Sequence, residues 1–298
     1  MSHLQNAVEK LSKYWKANAV VNNGGDPSFN VPLQPELSDF LEELLPFYGT
    51  PEWERAPYDM RQKVLSYAWV LYNHKTVYVE SDLILPVCED IIKGRYQLER
   101  PELIQEIIAQ AMVDEAVHTQ MSINAANAIL KFRGLPIPSY DGFFLTRQRE
   151  FLLEKYKSDH DKRLVSLGIA CASETLVTDY LDKIAKAKLI QPLCQKITEA
   201  HANDELVHSS VFTLVLESVI AFLNEREKRI VASSIYEAIN MFANKELDVW
   251  HCVLKQLNFP EFLSMIAAAN GEPDVSVYTA GVQRLLQRTN MLDGFVAA

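Results

Sequence analysis

Apolar side chains recur every three to four residues along most of this chain, and there is no convincing run of the strict alternation that is typical of strands. This periodicity predicts an all-α fold. A short amphipathic helix is expected at 4–17, a loop at 21–35 and a second helix at 36–46, before a breaker-rich stretch from Gly49 to Pro57.

Long periodic segments fill the middle of the chain, and the connections between them are short. Short connections favour antiparallel neighbours, so these segments predict a helical bundle. Pro86 is expected to kink or interrupt the first segment after Leu85, and Pro101 is a favourable first-turn residue for the second. The expected helices are 58–93, 101–132, a connecting helix near 146–157, 161–188, 191–223, a fifth long helix at 225–257 and two smaller helices after a stop at 258–260.

No linker or shift in composition cleanly divides the chain into two domains. Only 10 of the 298 residues are glycine, and this low share argues against turn-rich sandwiches, barrels and propellers. We therefore expect a single all-helical domain over 1–298, with a bundle core at about 58–223 and peripheral helices at 1–57 and 225–298. A chain of this length can bury a large core.

The formal net charge is −10, which argues against nucleic-acid binding because such proteins grip the phosphate backbone with basic patches. The first residues lack the apolar core of a signal peptide, and the longest apolar stretch, 211–223, is too short and too polar to span a bilayer. Four isolated cysteines without a C-x-x-C motif are expected to be reduced thiols. A cytoplasmic protein without membrane contact is predicted.

Two short motifs stand out within the predicted helices. VDEAVH places Glu115 and His118 three residues apart, and NDELVH gives Glu205 and His208 the same spacing. Residues at i and i+3 share one face of a helix, so each pair can direct a carboxylate and an imidazole to the same point. His201 precedes Glu205 by four residues and extends this stripe. A single E-x-x-H motif is weak, because a surface ion pair has the same spacing.

Two glutamates in apolar surroundings strengthen the signal. Glu80 lies in VYVESDLILP and Glu174 lies in IACASETLVTDYL, so both are expected to be buried. A buried carboxylate is costly without a cation, a proton or a metal. The order Glu, E-x-x-H, Glu, E-x-x-H falls on four consecutive long helices, and its two halves recur at nearly equal separations. This repetition indicates a duplicated helix pair.

Ferritin-like bundles that bind two iron or manganese ions use this arrangement of two glutamates and two E-x-x-H motifs. Neighbouring divalent ions repel each other, so the site needs several carboxylates, and imidazoles complete the coordination while leaving positions open for O2. Asp114 and Asp204 directly precede the motif glutamates and are candidate acceptors for the imidazole N–H groups of the opposite repeat. The expected architecture is a ferritin-like four-helix bundle with additional flanking helices.

With its additional histidine in HANDELVH, the chain resembles the AurF-like family of di-iron N-oxygenases, typified by p-aminobenzoate N-oxygenase. A seventh protein ligand, a histidine one turn before the second E-x-x-H, distinguishes this family from most ferritin-like proteins. The resemblance spans 80–208 and, with the flanking helices, most of the chain. The metal ligands that it implies are Glu80, Glu115, His118, Glu174, His201, Glu205 and His208.

The resemblance implies a di-iron centre that uses O2 to oxygenate an amine to the hydroxylamine, nitroso or nitro level in secondary-metabolite biosynthesis. It assigns Glu80 and the first motif to one iron, and Glu174, His201 and the second motif to the other, with the motif glutamates as bridges. The implied substrate is an aryl amine or an amino acid-derived amine tethered to a carrier protein. A homodimer is also implied. An external reductase must supply electrons, because the chain has no G-x-G-x-x-G fingerprint for a flavin or nicotinamide.

The residues leave three other functions open. An iron-oxidising or storage protein has a carboxylate-rich site, and His201 argues against it. A di-iron C–H hydroxylase or desaturase uses nearly the same ligands. A metal-free helical scaffold that binds partners requires both buried glutamates to be coincidental.

Several other side chains are interpreted as structural. Asp248 and His251 repeat the three-residue spacing without a partner motif, and His74 and His160 have no partner on their helix face. Residues one turn from the ligands can line a substrate cavity, although core packing is an equal interpretation. They are Leu83, Ile84, Met112, Cys171, Thr178 and Phe212, while Tyr72 and Tyr78 are interpreted as core.

Overall fold

Helices and tight turns form the secondary structure of residues 3–23, 30–272 and 275–291, which are the residues that the computed structural model describes. The all-α prediction is confirmed. Residues 24–29 of the predicted loop, and both ends of the predicted domain, lie outside the described residues. The helices are α1 (His3–Asn18), α2 (Pro51–Arg55), α3 (Tyr58–Tyr78), α4 (Leu85–Ile92), α5 (Pro101–Arg133), α6 (Phe144–Glu154), α7 (Asp159–Ala185), α8 (Pro192–Ile220), α9 (Glu225–Ala243), α10 (Leu247–Gln256), α11 (Phe262–Ala269) and α12 (Ser276–Arg288).

A four-helix bundle of α3–α4, α5, α7 and α8 forms the core, as a ferritin-like architecture requires. α3 packs along α5, α7 packs along α8, and α5 contacts α8. Local signals set the helix ends: α5 begins at Pro101 and stops at Gly134, whose φ of 62° lies in the left-handed region that glycine adopts readily. The flanking helices pack around this core.

The sequence predicts a kink or interruption after Leu85, but the irregular part of the first bundle helix lies just before Leu85 and is a widened turn rather than a break. α3 passes through one π-helical turn (Val79–Ile84) into α4. Pro86 has no N–H and therefore cannot donate to the carbonyl four residues earlier. The Leu85 N–H, one residue before it, donates to the Glu80 carbonyl, which is five residues back as in a π-helix. Glu80 therefore lies within a helical bulge in the middle of the bundle.

α9 packs along α7, and a glycine allows the two helices to approach closely. A Cβ atom at Gly168 would lie 2.7 Å from the Val231 carbonyl oxygen and 2.8 Å from the Ser234 Cβ. A larger residue would therefore push the helices apart. α9 also contributes Val231 and Ile235 to the same hydrophobic core as the bundle helices.

The predicted helix at 36–46 is wrong, since this segment contains only a single 3₁₀ turn, Glu42–Leu44. Carbonyl groups at and next to this segment accept hydrogen bonds from residues distant in sequence instead of from the next helical turn. Arg133 donates to the carbonyls of Pro35 and Leu37, and Gln191 donates through its backbone N–H to Ser38 and through its side chain to Leu37. The segment is thereby held across the ends of α5 and α8.

The predicted fifth long helix is also wrong in its extent, because it is divided into α9 and α10. Asn244 leaves the helical region, and its side-chain oxygen accepts the Glu246 N–H at 2.8 Å. Glu246 then adopts a left-handed φ of 50°, and its carboxylate accepts the Phe144 N–H at 2.7 Å. A local side-chain acceptor has replaced the helical hydrogen bond here.

Among the described residues, one helix, Asp159–Ala185, is long and apolar enough to cross a membrane, and most of it is buried within the structure as a core helix. The four cysteines are free thiols, as expected. Cys88, Cys171 and Cys194 are buried and Cys252 is half-buried.

Candidate metal centre

The seven expected metal ligands and the two expected supporting aspartates all lie buried in the middle of the bundle. None of the nine residues is more than 6% exposed. Their donor atoms form overlapping groups of carboxylates and imidazoles, in which the atoms of each group lie within 4.8 Å of one another. Each bundle helix supplies part of the set, and α8 supplies three residues of one stripe.

One group of donors lies beside the π-helical turn and consists of Glu80, His118, His201 and Glu205. His201 Nε2 lies 3.6 Å from Glu80 Oε1 and 3.1 Å from Glu205 Oε1. His118 Nδ1 lies 3.4 Å from the same Glu205 oxygen. Metal–nitrogen and metal–oxygen bonds of about 2.0–2.2 Å allow two donors on one ion to lie up to about 4.4 Å apart, so these distances fit one metal ion.

A second group surrounds His208. Its Nδ1 atom lies 2.9 Å from Glu115 Oε1, 3.5 Å from Glu205 Oε1 and 3.6 Å from Glu174 Oε2. Glu115 and Glu205 each belong to groups on both sides, which is the position that a bridging carboxylate requires. The donor set therefore has room for two neighbouring ions.

His201 lies on the opposite side of the centre from the one that the resemblance assigns to it. Its ring centroid is 4.1 Å from that of His118, and its nearest carboxylates are Glu80 and Glu205. The reason is helix geometry: seven residues separate His201 from His208, which is about 10.5 Å along the axis of α8. The two histidines therefore flank Glu205, and the geometry groups His201 with Glu80 and His118.

The two aspartates face the outer nitrogens of the histidines from the opposite repeat. His118 Nε2 lies 3.2 Å from Asp204 Oδ2, and His208 Nε2 lies 3.1 Å from Asp114 Oδ2. These contacts orient both rings so that the Nδ1 atoms point inward. Trp15, which was not predicted to take part in the centre, donates its indole N–H to Asp114 Oδ2 at 2.8 Å. The only sequence feature that could have suggested this contact was the position of Trp15 near the end of the amphipathic helix α1.

The unpaired charges of the centre fit a bound cation. Burial, together with repulsion from Glu115, raises the pKa of Glu80 to about 8. Burial and the carboxylates of Glu205 and Glu115 likewise hold the pKa of Glu174 well above its usual range. Oε2 atoms of Glu80, Glu174 and Glu205 are buried without a hydrogen-bond partner in the described structure. Bound divalent ions would offset the burial of these carboxylates and would give the unpartnered oxygens a ligand bond. A mixed set of carboxylate and imidazole donors suits iron.

An apolar cavity of about 270 Å³ reaches this centre through Glu80 and His201. Its walls come from α3, α7, the 40–46 segment and the break between α9 and α10. At one end, Lys75 Nζ lies 3.0 Å from Glu246 Oε1. The aromatic and aliphatic side chains around it include Phe40, Leu71, Tyr72, Phe143, Leu176, Tyr180, Phe242 and Trp250.

None of the six residues suggested as cavity lining borders this cavity. Tyr72 was interpreted as core but is half-buried, because it lines the cavity. Its surroundings are apolar enough to raise the pKa of the phenol, so the hydroxyl stays protonated. Thr178 lines a separate cavity beside α12. The lining contributed by residues 242–246 could not be foreseen because a continuous helix was expected there. His74 and His160 lie outside the donor groups, and contact Tyr140 and Glu227 respectively.

Asp248 and His251, the third pair with the three-residue spacing, also lie away from the donor groups. Asp248 is within 3.5 Å of Arg147 near the surface, and the His251 ring packs edge-on against Phe262 at 5.3 Å. This spacing therefore occurs in the chain without a second half that would complete a metal site.

Comparisons with known proteins identify the family to which the chain belongs. The family model described as p-aminobenzoate N-oxygenase AurF matches residues 2–290. A 4-aminobenzoate N-oxygenase from Streptomyces thioluteus is 26% identical over 251 residues, which are 84% of this chain and 74% of the relative. These matches favour amine N-oxygenation over iron storage or C–H oxidation. The chain belongs to the AurF family and is an amine N-oxygenase.

Proposed function

We propose that the seven buried side chains hold two iron ions per chain. Glu80, His118 and His201 would bind one ion, Glu174 and His208 would bind the other, and the two motif glutamates would bridge them. The donor distances of 2.8–3.6 Å around the histidines support this division. Asp114 and Asp204 would fix the tautomer of the inward-facing imidazoles.

Bound ferrous iron would supply the reduction of O2 and the transfer of one oxygen atom to nitrogen. For the first step the balance is R–NH2 + O2 + two electrons + two protons → R–NHOH + H2O. The protein side chains hold the ions, exclude bulk water and present the amine to the Glu80 and His201 side of the centre. Further oxidation of the hydroxylamine to the nitroso or nitro level would use the same cavity.

We propose a single-ring aryl amine as the substrate. The observation that carries this proposal is the cavity of about 270 Å³, which ends at Glu80 and His201 and has aromatic walls. Flat aromatic substrates suit such walls. The relative acts on 4-aminobenzoate by its name, which supports the same substrate class. An amine tethered to a carrier protein is the alternative, and it would need the cavity to admit a long linker.

Lys75 would bind the end of the substrate that lies away from the amine. It precedes Glu80 by five residues, or about 7.5 Å along α3, which is comparable to the length of a para-substituted benzene ring. Glu246 neutralises Lys75 but occupies only one direction of its ammonium group, so Lys75 retains N–H donors. We therefore propose an aryl amine with a para substituent that accepts a hydrogen bond.

A matched substrate series tests this assignment. Reduced, iron-loaded protein would be exposed to O2 with 4-aminobenzoate, 4-aminobenzamide or aniline, and mass spectrometry would measure oxygen added to nitrogen. We expect Lys75→Met to raise KM about tenfold for the substituted amines and to leave aniline unchanged, since one charge-assisted hydrogen bond is lost. Lys63→Met, on the exposed face of the same helix, is the control. Oxygenation only of carrier-bound amines would overturn the free aryl amine proposal.

Iron content tests the centre itself. We expect close to two irons per chain by elemental analysis. A storage protein would accumulate far more, and a metal-free scaffold would bind none. Either result would contradict the di-iron proposal.

Three further proposals concern the setting of the enzyme. We propose that an external reductase supplies the electrons, that the protein works as a homodimer, and that it works in the cytoplasm, where its four free cysteines stay reduced. Light scattering on the purified protein would measure the mass, and a monomer at micromolar concentration would contradict the dimer.

A further inference from the structure

The N-terminal helix connects a half-exposed tryptophan to the buried centre. Trp15 Nε1 donates to Asp114 Oδ2 at 2.8 Å, and the same oxygen lies 3.1 Å from His208 Nε2. The inward Nδ1 atom of His208 lies 2.9 Å from Glu115 Oε1. A continuous series of short contacts therefore joins α1 to the metal-binding side chains.

The corresponding route in the other half of the centre ends inside the protein. His118 Nε2 lies 3.2 Å from Asp204 Oδ2, and Asp204 is only 4% exposed. In the part of the chain that the structure describes, no other side chain is hydrogen-bonded to Asp204. The two repeats thus differ here, because α1 extends only the Asp114 route toward the surface.

The solvent side of α1 is basic, in contrast to the rest of the chain. Lys10, Lys13 and Lys16 are exposed, and Glu9 is the one acidic residue within the helix. No ion pair involves these lysines within the described residues. Because the whole chain carries a net charge of −10, an acidic partner would be repelled over most of the surface and attracted to α1.

We propose that α1 is the docking surface for an acidic, one-electron carrier protein, and that electrons enter the centre through Trp15, Asp114 and His208. This inference rests on the proposed function, which requires two electrons from outside for each oxygen atom inserted. Two reduced carriers would each lose one electron, and these two electrons would reduce two bound ferric ions to the ferrous state. No covalent bond is made or broken along the path.

A binding measurement tests the docking surface without using enzyme activity. The probe is a labelled [2Fe–2S] ferredoxin of net negative charge, titrated with the protein and followed by fluorescence anisotropy. We expect the variant Lys10→Glu/Lys13→Glu/Lys16→Glu to bind at least tenfold more weakly at low salt, and the corresponding triple Gln variant to be intermediate. High salt should remove the differences, because exposed charges are screened.

The matched control reverses three lysines that are exposed elsewhere, Lys157, Lys183 and Lys188. It changes the net charge equally, so the proposal requires its affinity to stay within about twofold of the original protein. Equal losses in both triple variants would show a general charge effect and would overturn the docking surface.

A stopped-flow measurement tests the path. Under anaerobic conditions, diferric protein would be mixed with reduced ferredoxin, and the loss of ferric absorbance would be recorded. We expect Trp15→Phe to slow the first-order rate at least tenfold at saturating ferredoxin, where a difference in affinity no longer limits the rate. Reduction by methyl viologen radical, a small cation that needs no docking helix, should be unchanged in the lysine variants.

The proposed di-iron function and the proposed electron entry through α1 would be contradicted by different results. A protein that binds no iron would overturn the proposed function, while the anisotropy titration would still decide the docking surface. An iron-loaded protein that is reduced by ferredoxin at the same rate with and without Trp15 would overturn the path alone. Thermal unfolding and iron content of Trp15→Phe would establish that the variant is folded and loaded.

Discussion

Glu205 is the residue on which both halves of the centre converge. Its Oε1 atom lies 3.1 Å from His201 Nε2, 3.4 Å from His118 Nδ1 and 3.5 Å from His208 Nδ1. Burial would raise the pKa of Glu205, but the charges of His208 and His201 and the hydrogen bond with His201 hold this pKa well below its usual range. An ionised carboxylate between three imidazoles is suited to bridge two cations.

We expect Glu205→Ala to lose most of its iron and all measurable turnover, because both ions would lose a shared anionic ligand. Elemental analysis and mass spectrometry of the product would measure the two effects. Glu217→Ala on the same helix, where Glu217 pairs with Arg288, is the control. Two irons per chain in Glu205→Ala would contradict the bridging role.

His201→Ala should separate metal binding from activity. The donors around His208 remain in this variant, so some iron should be retained, but the ion beside the cavity loses a nitrogen ligand and its fixed geometry. We expect turnover to fall at least a hundredfold, and the change in the iron environment to be visible by Mössbauer spectroscopy. Unchanged turnover would argue strongly against the assignment of His201 to the reacting side.

At the scale of elements, the departures from regular helix build the site. The π-helical turn Val79–Ile84 carries Glu80, and the break at Asn244 turns residues 242–246 into a wall of the cavity. The irregular segment at 40–46 forms another wall. Arg133, at the end of α5, holds the residues directly before this segment through the carbonyls of Pro35 and Leu37 and the carboxylate of Asp39.

We expect Arg133→Met to lower the free energy of unfolding by about 3 kcal/mol, because it leaves the carboxylate of Asp39 buried with only the Ser66 hydroxyl as a partner. Chemical denaturation would measure the change. The double variant Arg133→Met/Asp39→Asn should recover part of the loss. Equal stability of the single and double variants would show that the ion pair is not the cause.

At the scale of the whole molecule, the bundle places four glutamates and two aspartates of the centre in its interior, and three histidines are the neighbouring groups that can carry a positive charge. Burial and mutual repulsion raise the pKa values of Glu80 and Glu174. The fold therefore stores an unfavourable charge arrangement at its centre, which bound cations would relieve. Metal binding and stability are expected to be linked.

Removal of iron should lower the thermal unfolding temperature by roughly 5 °C or more, since a ligand at a hundred times its Kd contributes about 2.7 kcal/mol. Scanning calorimetry of loaded and chelator-treated protein would measure the shift. Glu205→Ala, which lacks the shared ligand, should show little difference between the two preparations. Identical transitions for loaded and metal-free protein would mean that the cluster is stable without a cation.

Much of the fold was predictable because helix formation is local. Four long apolar-periodic segments, Pro101 and Gly134 predict bundle helices near their observed ends. The predictions failed at 36–46 and at 244–246, where the backbone is governed by contacts distant in sequence. Arg133 and Gln191 engage the carbonyls of one segment, and Glu246 receives the Phe144 N–H in the other. Periodicity carries no information about such partners.

The residue types that can meet on each helix face follow from the order of the amino acids, because a rise of 1.5 Å and a rotation of 100° per residue are properties of the helical backbone. The E-x-x-H motifs and the spacing of His201 are properties of that kind. Three other features come from the packing of the helices against one another: His201 shares a side with Glu80, a cavity opens there, and Trp15 contacts Asp114. These depend on the register between helices, which is set by packing across the whole core.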